Sequence, residues 1–139
     1  MEWSTDAVRP SERFGFWREV VCQSIFNLTI EAPPGPFAAR MTARSAGPLR
    51  IALSESTGYQ VVRNQRQVGR ASDDSYSIYL QLHGEAVISQ RGQAFAYQPG
   101  DLAISDLVHP FTATLSGGAR RVTTVIPREL LDRRAPWDW

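Results

Sequence analysis

Arg63 closes the run "QVVR", and a charge at the end of an apolar run must be exposed, paired or functional. Its planar guanidinium suits two-point recognition of a carboxylate. The bland alternative is a salt bridge to Asp73, Asp74 or Asp106, with Arg40, Arg44, Arg50 and Arg66 as surface charges. Around it stand side chains that could wall an apolar pocket with a few polar groups: Tyr79, Gln81, Phe95, Tyr97 and Ile104. A small aromatic or carboxylate compound would suit that set. Each residue could equally be ordinary core or surface. Strand phase alone does not say which face points inward, and a one-residue shift of register swaps the set.

Other chemistries find less support. The chain has two histidines, His83 and His109, with Glu85 and Asp106 near them in sequence. A transition-metal site needs three or four ligands in suitable geometry, and no His-x-His pair is present. Both histidines are expected on the surface or rim, and no metal or cofactor is expected. Ser105, Asp106 and His109 contain the residue types of a triad, but they crowd one corner and nothing resembles a nucleophile elbow. Cys22 is the sole cysteine, so no intrachain disulfide forms. It lies in an aromatic helical stretch and is expected to behave as a small hydrophobe. No catalytic residue is assigned.

Fifteen basic and fourteen acidic side chains leave a formal charge of +1 over 139 residues. That balance argues against a strong nucleic-acid surface in this chain. The N-terminus lacks the basic start and apolar core of a signal peptide, and no apolar run is long enough for a membrane span. A cytoplasmic location is therefore expected, with no membrane partner.

The elements that must position these residues can be read from punctuation. Pro10 and Ser11 start a helix, with Glu12 at its positive end, ending near Phe26. Phe14, Trp17, Val21 and Ile25 recur along it at helical spacing. "EAPPGPF" follows as an extended connector. Short strands are expected over Phe37–Ser45, Leu49–Ser56, Gln60–Asn64, Tyr76–His83, Ala86–Gln90, Ala94–Gln98, Leu102–Ser105, Thr112–Leu115 and Arg121–Ile126. Turn signals separate them, including the "PGD" corner, where Pro99 presets the turn, Gly100 accepts a positive φ and Asp101 can bond backbone amides. In "YSIYLQLH", Tyr76, Ile78, Leu80 and Leu82 share one face, and Ser77, Tyr79, Gln81 and His83 the other. The second face could meet solvent or a wet cavity. "RELLDRR" reads as a short helix. So many short strands imply a sandwich or small barrel.

The ordered series "FWREVV", "YQVVRNQRQV", "YSIYLQLHGEAVISQRGQAFAYQPGDLAISDLVHPF" and "VIPRELL" resembles the N-terminal, cupin-like (AraC-binding-like) regulatory domain of AraC/XylS-type transcriptional regulators. The resemblance covers most of the chain. It implies a mainly β fold, a cupin-like jelly-roll or double-stranded β-helix barrel with an N-terminal helix and a short C-terminal helix. On that basis residues 1–139 form a single domain: 1–36 helix and linker, 37–126 barrel, 127–139 the start of a truncated helical connection. The expected role is effector sensing, dimerisation, or both, controlling a helix-turn-helix DNA-binding domain absent from this chain. The expected partners are a small-molecule effector and a second copy of the chain, with DNA reached only through that absent domain. The competing reading is a stand-alone cupin-like metal-dependent enzyme.

Overall fold

The computed structural model describes residues 1–25, 28–31, 35–66 and 75–134. The elements in chain order are β1 (Glu2–Ser4), α1 (Arg13–Ser24), β2 (Thr29–Glu31), β3 (Ala39–Ala46), β4 (Leu49–Ser56), β5 (Gln60–Arg63), β6 (Ser75–His83), β7 (Ala86–Gln90), β8 (Gln93–Tyr97), β9 (Leu102–Asp106), β10 (Phe111–Leu115), β11 (Ala119–Pro127) and α2 (Arg128–Arg134). Short 3-10 turns at Thr5–Ala7 and Pro10–Glu12 lead into α1.

Two antiparallel sheets face each other. One runs β1-β3-β4-β11-β6-β9 and the other β2-β5-β10-β7-β8. This is a β-barrel of cupin-like architecture with an N-terminal helix and a short C-terminal helix, as the sequence leads one to expect. Period-2 alternation sorts the side chains. Ala52, Thr123, Tyr79 and Ala103 align across four strands of the six-stranded sheet, and all are buried. Their neighbours along the strands point outward, in rows such as Leu53, Val122, Leu80 and Leu102. The apolar face of β6 is thus the outer one, and its mixed face, with Ser77, Tyr79 and Gln81, lines the interior.

α1 closes one end of the barrel. Trp17, Val20 and Val21 are buried in it, with Ile25 just beyond its end. Trp17 is fully buried and packs at 6.4 Å on Phe37, which meets Phe14 at 5.4 Å and Tyr59 at 6.0 Å. This aromatic chain joins helix, connector and the turn before β5, and edge-to-face contacts add to its area burial. Cys22 is half-buried, and its thiol donates to the Leu28 carbonyl at 3.2 Å.

β1 and β2 were not anticipated. Each has three residues, too few for alternation to show, and each exists by pairing with a longer strand, β1 on β3 and β2 on β5.

Among the described glycines, Gly58 makes the closest backbone approach. A Cβ there would lie 2.5 Å from the Leu115 carbonyl oxygen and 2.9 Å from the Gly117 nitrogen. Backbone cannot swing aside as a side chain can. Gly58→Ala is expected to cost about 1–3 kcal/mol. Gly15, in α1, has nothing within 4 Å of such a Cβ, so Gly15→Ala should gain about 0.5–1 kcal/mol. Thermal denaturation of the two variants should therefore move in opposite directions.

Candidate functional site

The mixed inner face of the six-stranded sheet meets the apolar inner face of the other beneath α1. Ser54, Arg121 and Thr123 come from the first, with Tyr79 beside them. Val61, Phe111, Ala113 and Leu115 come from the second, and Tyr59 from the turn before β5. Val21, Ile25 and Leu28 form the roof, and the cavity has a volume of about 30 Å³. That is room for about one water. The chamber is small, largely buried and nearly filled by its own side chains.

Arg121 is its most consequential member. It faces Ser54 across one strand boundary and Gln81 across the other. A register shift between Arg120 and Arg121 accompanies the turn of β6 toward its exposed end at Leu82 and His83. The guanidinium carbon lies 4.0 Å from the centroid of the Tyr79 ring, a cation–π contact. Its Nε is buried without a hydrogen-bond partner. Burial pushes the guanidinium pKa down, partly offset by Tyr79 and Tyr59.

Burial also pushes the Tyr59 phenol up from its ordinary value of 10.0. The Trp17 indole N–H, which sits beside that hydroxyl, and Arg121 offset part of the rise; the indole does not reach hydrogen-bond geometry. A raised acid pKa means the folded state holds its proton more tightly than the unfolded chain. The stability tied to neutral Tyr59 is present below pH 10 and is lost as pH rises through the folded value. Alkaline titration of unfolding should show a steeper loss above about pH 10 in the wild type than in Tyr59→Phe.

The residues singled out from the sequence fall in four places. Tyr79 belongs to the chamber. Gln81 is 2 % exposed and its amide donates to the His83 carbonyl at 3.0 Å. Arg63 is 1 % exposed, and its Nε donates to the Leu107 carbonyl at 3.0 Å. Asp73 and Asp74 lie outside the described residues, and Asp106 pairs instead with Arg128. Phe95, Tyr97 and Ile104 line a separate lateral cleft of about 470 Å³, together with Ile88, Gln90, Arg91, Gln93 and Ser105. That cleft shares no lining residue with the chamber.

Reasoning from the sequence missed Arg121, Tyr59 and the roof. The signal for Arg121 was its phase with Ala119, Thr123 and Val125, but Arg120 beside it gives the opposite face the same charge. The histidines lie at the surface or half-buried, and among the described residues no group of three His, Cys, Asp or Glu side chains could hold a metal ion. The "PGD" corner behaves as turn chemistry demands. Gly100 has φ +95°, Asp101 N–H donates to the Gln98 carbonyl, and the Asp101 carboxylate accepts from Gln98 N–H at 2.9 Å.

A second network sits outside the barrel. Arg128 at the start of α2 pairs with the Asp106 carboxylate and donates to the Tyr76 hydroxyl at 2.7 Å. Tyr76 in turn donates to Asp132 at 3.0 Å, and Arg128 lies 4.4 Å from its ring centroid. Gln90 donates to the Asp106 and His109 carbonyls. Tyr76→Phe removes both hydroxyl bonds and should cost about 1–3 kcal/mol. Hydrogen exchange should quicken in α2 ahead of the barrel strands; equal protection in both proteins would show that the hydroxyl does not hold the helix.

The match to known proteins agrees with this architecture. Residues 17–138 match the family model of the AraC-binding-like domain, and the chain belongs to that family. It is 29% identical over 104 residues to the transcriptional activator NphR of Rhodococcus sp., a match covering 75% of this chain and 31% of that protein. Among solved structures, the AraC-like transcriptional activator CuxR superposes with a TM-score of 0.84 at 20% identity, covering 98% of this chain and 50% of that one. The cupin domain of Schizosaccharomyces pombe Cnp3 superposes at 0.51 with 13% identity, covering 83% of this chain and 78% of that one. The chain spans 50% of the length of one curated relative and 31% of another. Among the described residues, no helix is long and apolar enough to cross a membrane.

Proposed function

We propose that this chain is the effector-sensing domain of an AraC-type transcriptional regulator, a single domain that works through a linked helix-turn-helix DNA-binding domain. The observation that carries the reading is the small chamber under α1, where Arg121 and Tyr59, with the Trp17 indole beside them, bring polar atoms into the core beyond what packing requires. A domain that only paired with a second copy would have no use for them. A cupin-like enzyme would need a cluster of metal-ligating side chains, and the described residues bring none together. The domain is not assigned an activity. As a gene regulator it would work in the cytoplasm.

Sensing requires an effector to bind two conformations with different affinity. The chamber supplies such a difference, because a molecule larger than a water must shift its roof, Val21, Ile25 and Leu28. α1 would then move relative to the barrel. The corner after β9 offers a route to the other end of the domain. Arg63 grips the Leu107 carbonyl from inside, and Arg128 of α2 grips the neighbouring Asp106 from outside.

The test is a thermal-shift screen of small polar and aromatic metabolites, followed by hydrogen exchange on each compound that binds. Binders should raise Tm by several degrees and change exchange in α1, β11 and α2. A binder whose footprint is confined to 88–105 would move the site to the lateral cleft. A chain that dimerises tightly and answers no compound would support the pairing module instead.

A further inference from the structure

We propose that Arg121 is the anchor for the carboxylate of a small organic acid with an apolar body. This deepens the sensing reading and rests on it. Arg121 is 6 % exposed. Among the described residues its one close interaction is with the face of the Tyr79 ring, and its Nε reaches no acceptor. Among the described residues, the buried polar and charged ones are Thr, Ser, Gln and Arg, with no Asp or Glu. A buried lysine or histidine in this position could shed its proton, but a guanidinium does not. The charge therefore stays in a largely buried chamber, with Nε out of reach of any acceptor, and a ring quadrupole compensates only a small part of what water would supply.

The missing partner can be specified by chemistry. It carries negative charge, because neutral acceptors would satisfy Nε and leave the charge uncompensated. It carries about one unit, because a polyanion would replace one imbalance by another. Tyr79 occupies a face of the guanidinium, so the edge, with its N–H fork, is left for a planar acceptor, and carboxylate matches that geometry. The remaining walls, Val21, Ile25, Leu28, Phe111 and Leu115, are hydrocarbon and suit an apolar body. The present volume of about 30 Å³ does not hold such a molecule, so its body must take the place now filled by these side chains.

The test is thermal unfolding of the chain with formate, acetate, benzoate and phenylacetate, each against its neutral amide at matched ionic strength. At least one acid should raise Tm by roughly 4–10 °C near saturation, with little response to its amide. Arg121→Met and Arg121→Gln should both lose that response. Without ligand, Arg121→Met should melt at or above the wild-type Tm, because an uncompensated buried charge has been removed. Three outcomes would overturn the assignment. One is a ligand-free Tm well below wild type in both variants, the mark of a guanidinium already paired within the fold. Another is an acid response retained in either variant. The third is amides matching acids, or no response to any acid; the sensing reading then stands or falls on its own screen, where uncharged binders would keep it.

Discussion

A buried guanidinium, with a phenol ring against one face, is the constraint on which the rest of this structure turns. Arg121 projects from the strand at the centre of the six-stranded sheet, between β4 and β6. The features around it can be understood as ways of holding that charge. Tyr79 lends it a ring face, Ser54 and Thr123 line the same side, and Val21 of α1 with Ile25 beyond its end covers the chamber. Removing charge from water is costly, and a core tolerates it only where the surroundings are fixed. The aromatic run from Phe14 through Phe37 to Tyr59 provides that fixity on the helix side.

The second arginine in the interior is handled differently. Arg63 is equally buried but gives its Nε to a main-chain carbonyl at the β9–β10 corner. That corner is also where α2 is fastened from outside. Interior and exterior networks thus meet on two adjacent residues, Asp106 and Leu107. An inner strand face and an outer helix are thereby tied to one corner of the domain.

Much of the fold was legible because its turns are punctuated. "AGP", "TGY", "HGE", "RGQ", "PGD" and "SGG" separate strands whose observed bounds lie within a few residues of those expected. β1 and β2 were not, since three-residue strands are made by their partners. Less of the site could be read. Alternation along Tyr76–Leu82 was plain, but the usual rule that apolar faces point inward fails here. The barrel keeps its mixed face for the chamber and turns Ile78, Leu80 and Leu82 outward. Tyr79 was therefore reachable, whereas Arg121 was masked by Arg120, and Tyr59 by the turn in which it sits. Phe95, Tyr97 and Ile104 were chosen for hydrophobicity, and they gather in the lateral cleft because β8 is an edge strand with no neighbour beyond it.

The strand order has a kinetic consequence. β11 is the last of the described strands but pairs with both β4 and β6, so residues near the end of the barrel complete the middle of a sheet begun with β3 and β4. Until they arrive, β4 and β6 each present an unpaired edge, and the six-stranded sheet cannot close. Pairings so distant in sequence are slow to form and leave edges open to other chains in the meantime. Since the same strand carries Arg121, the chamber cannot exist in a nascent chain before the sheet itself is finished.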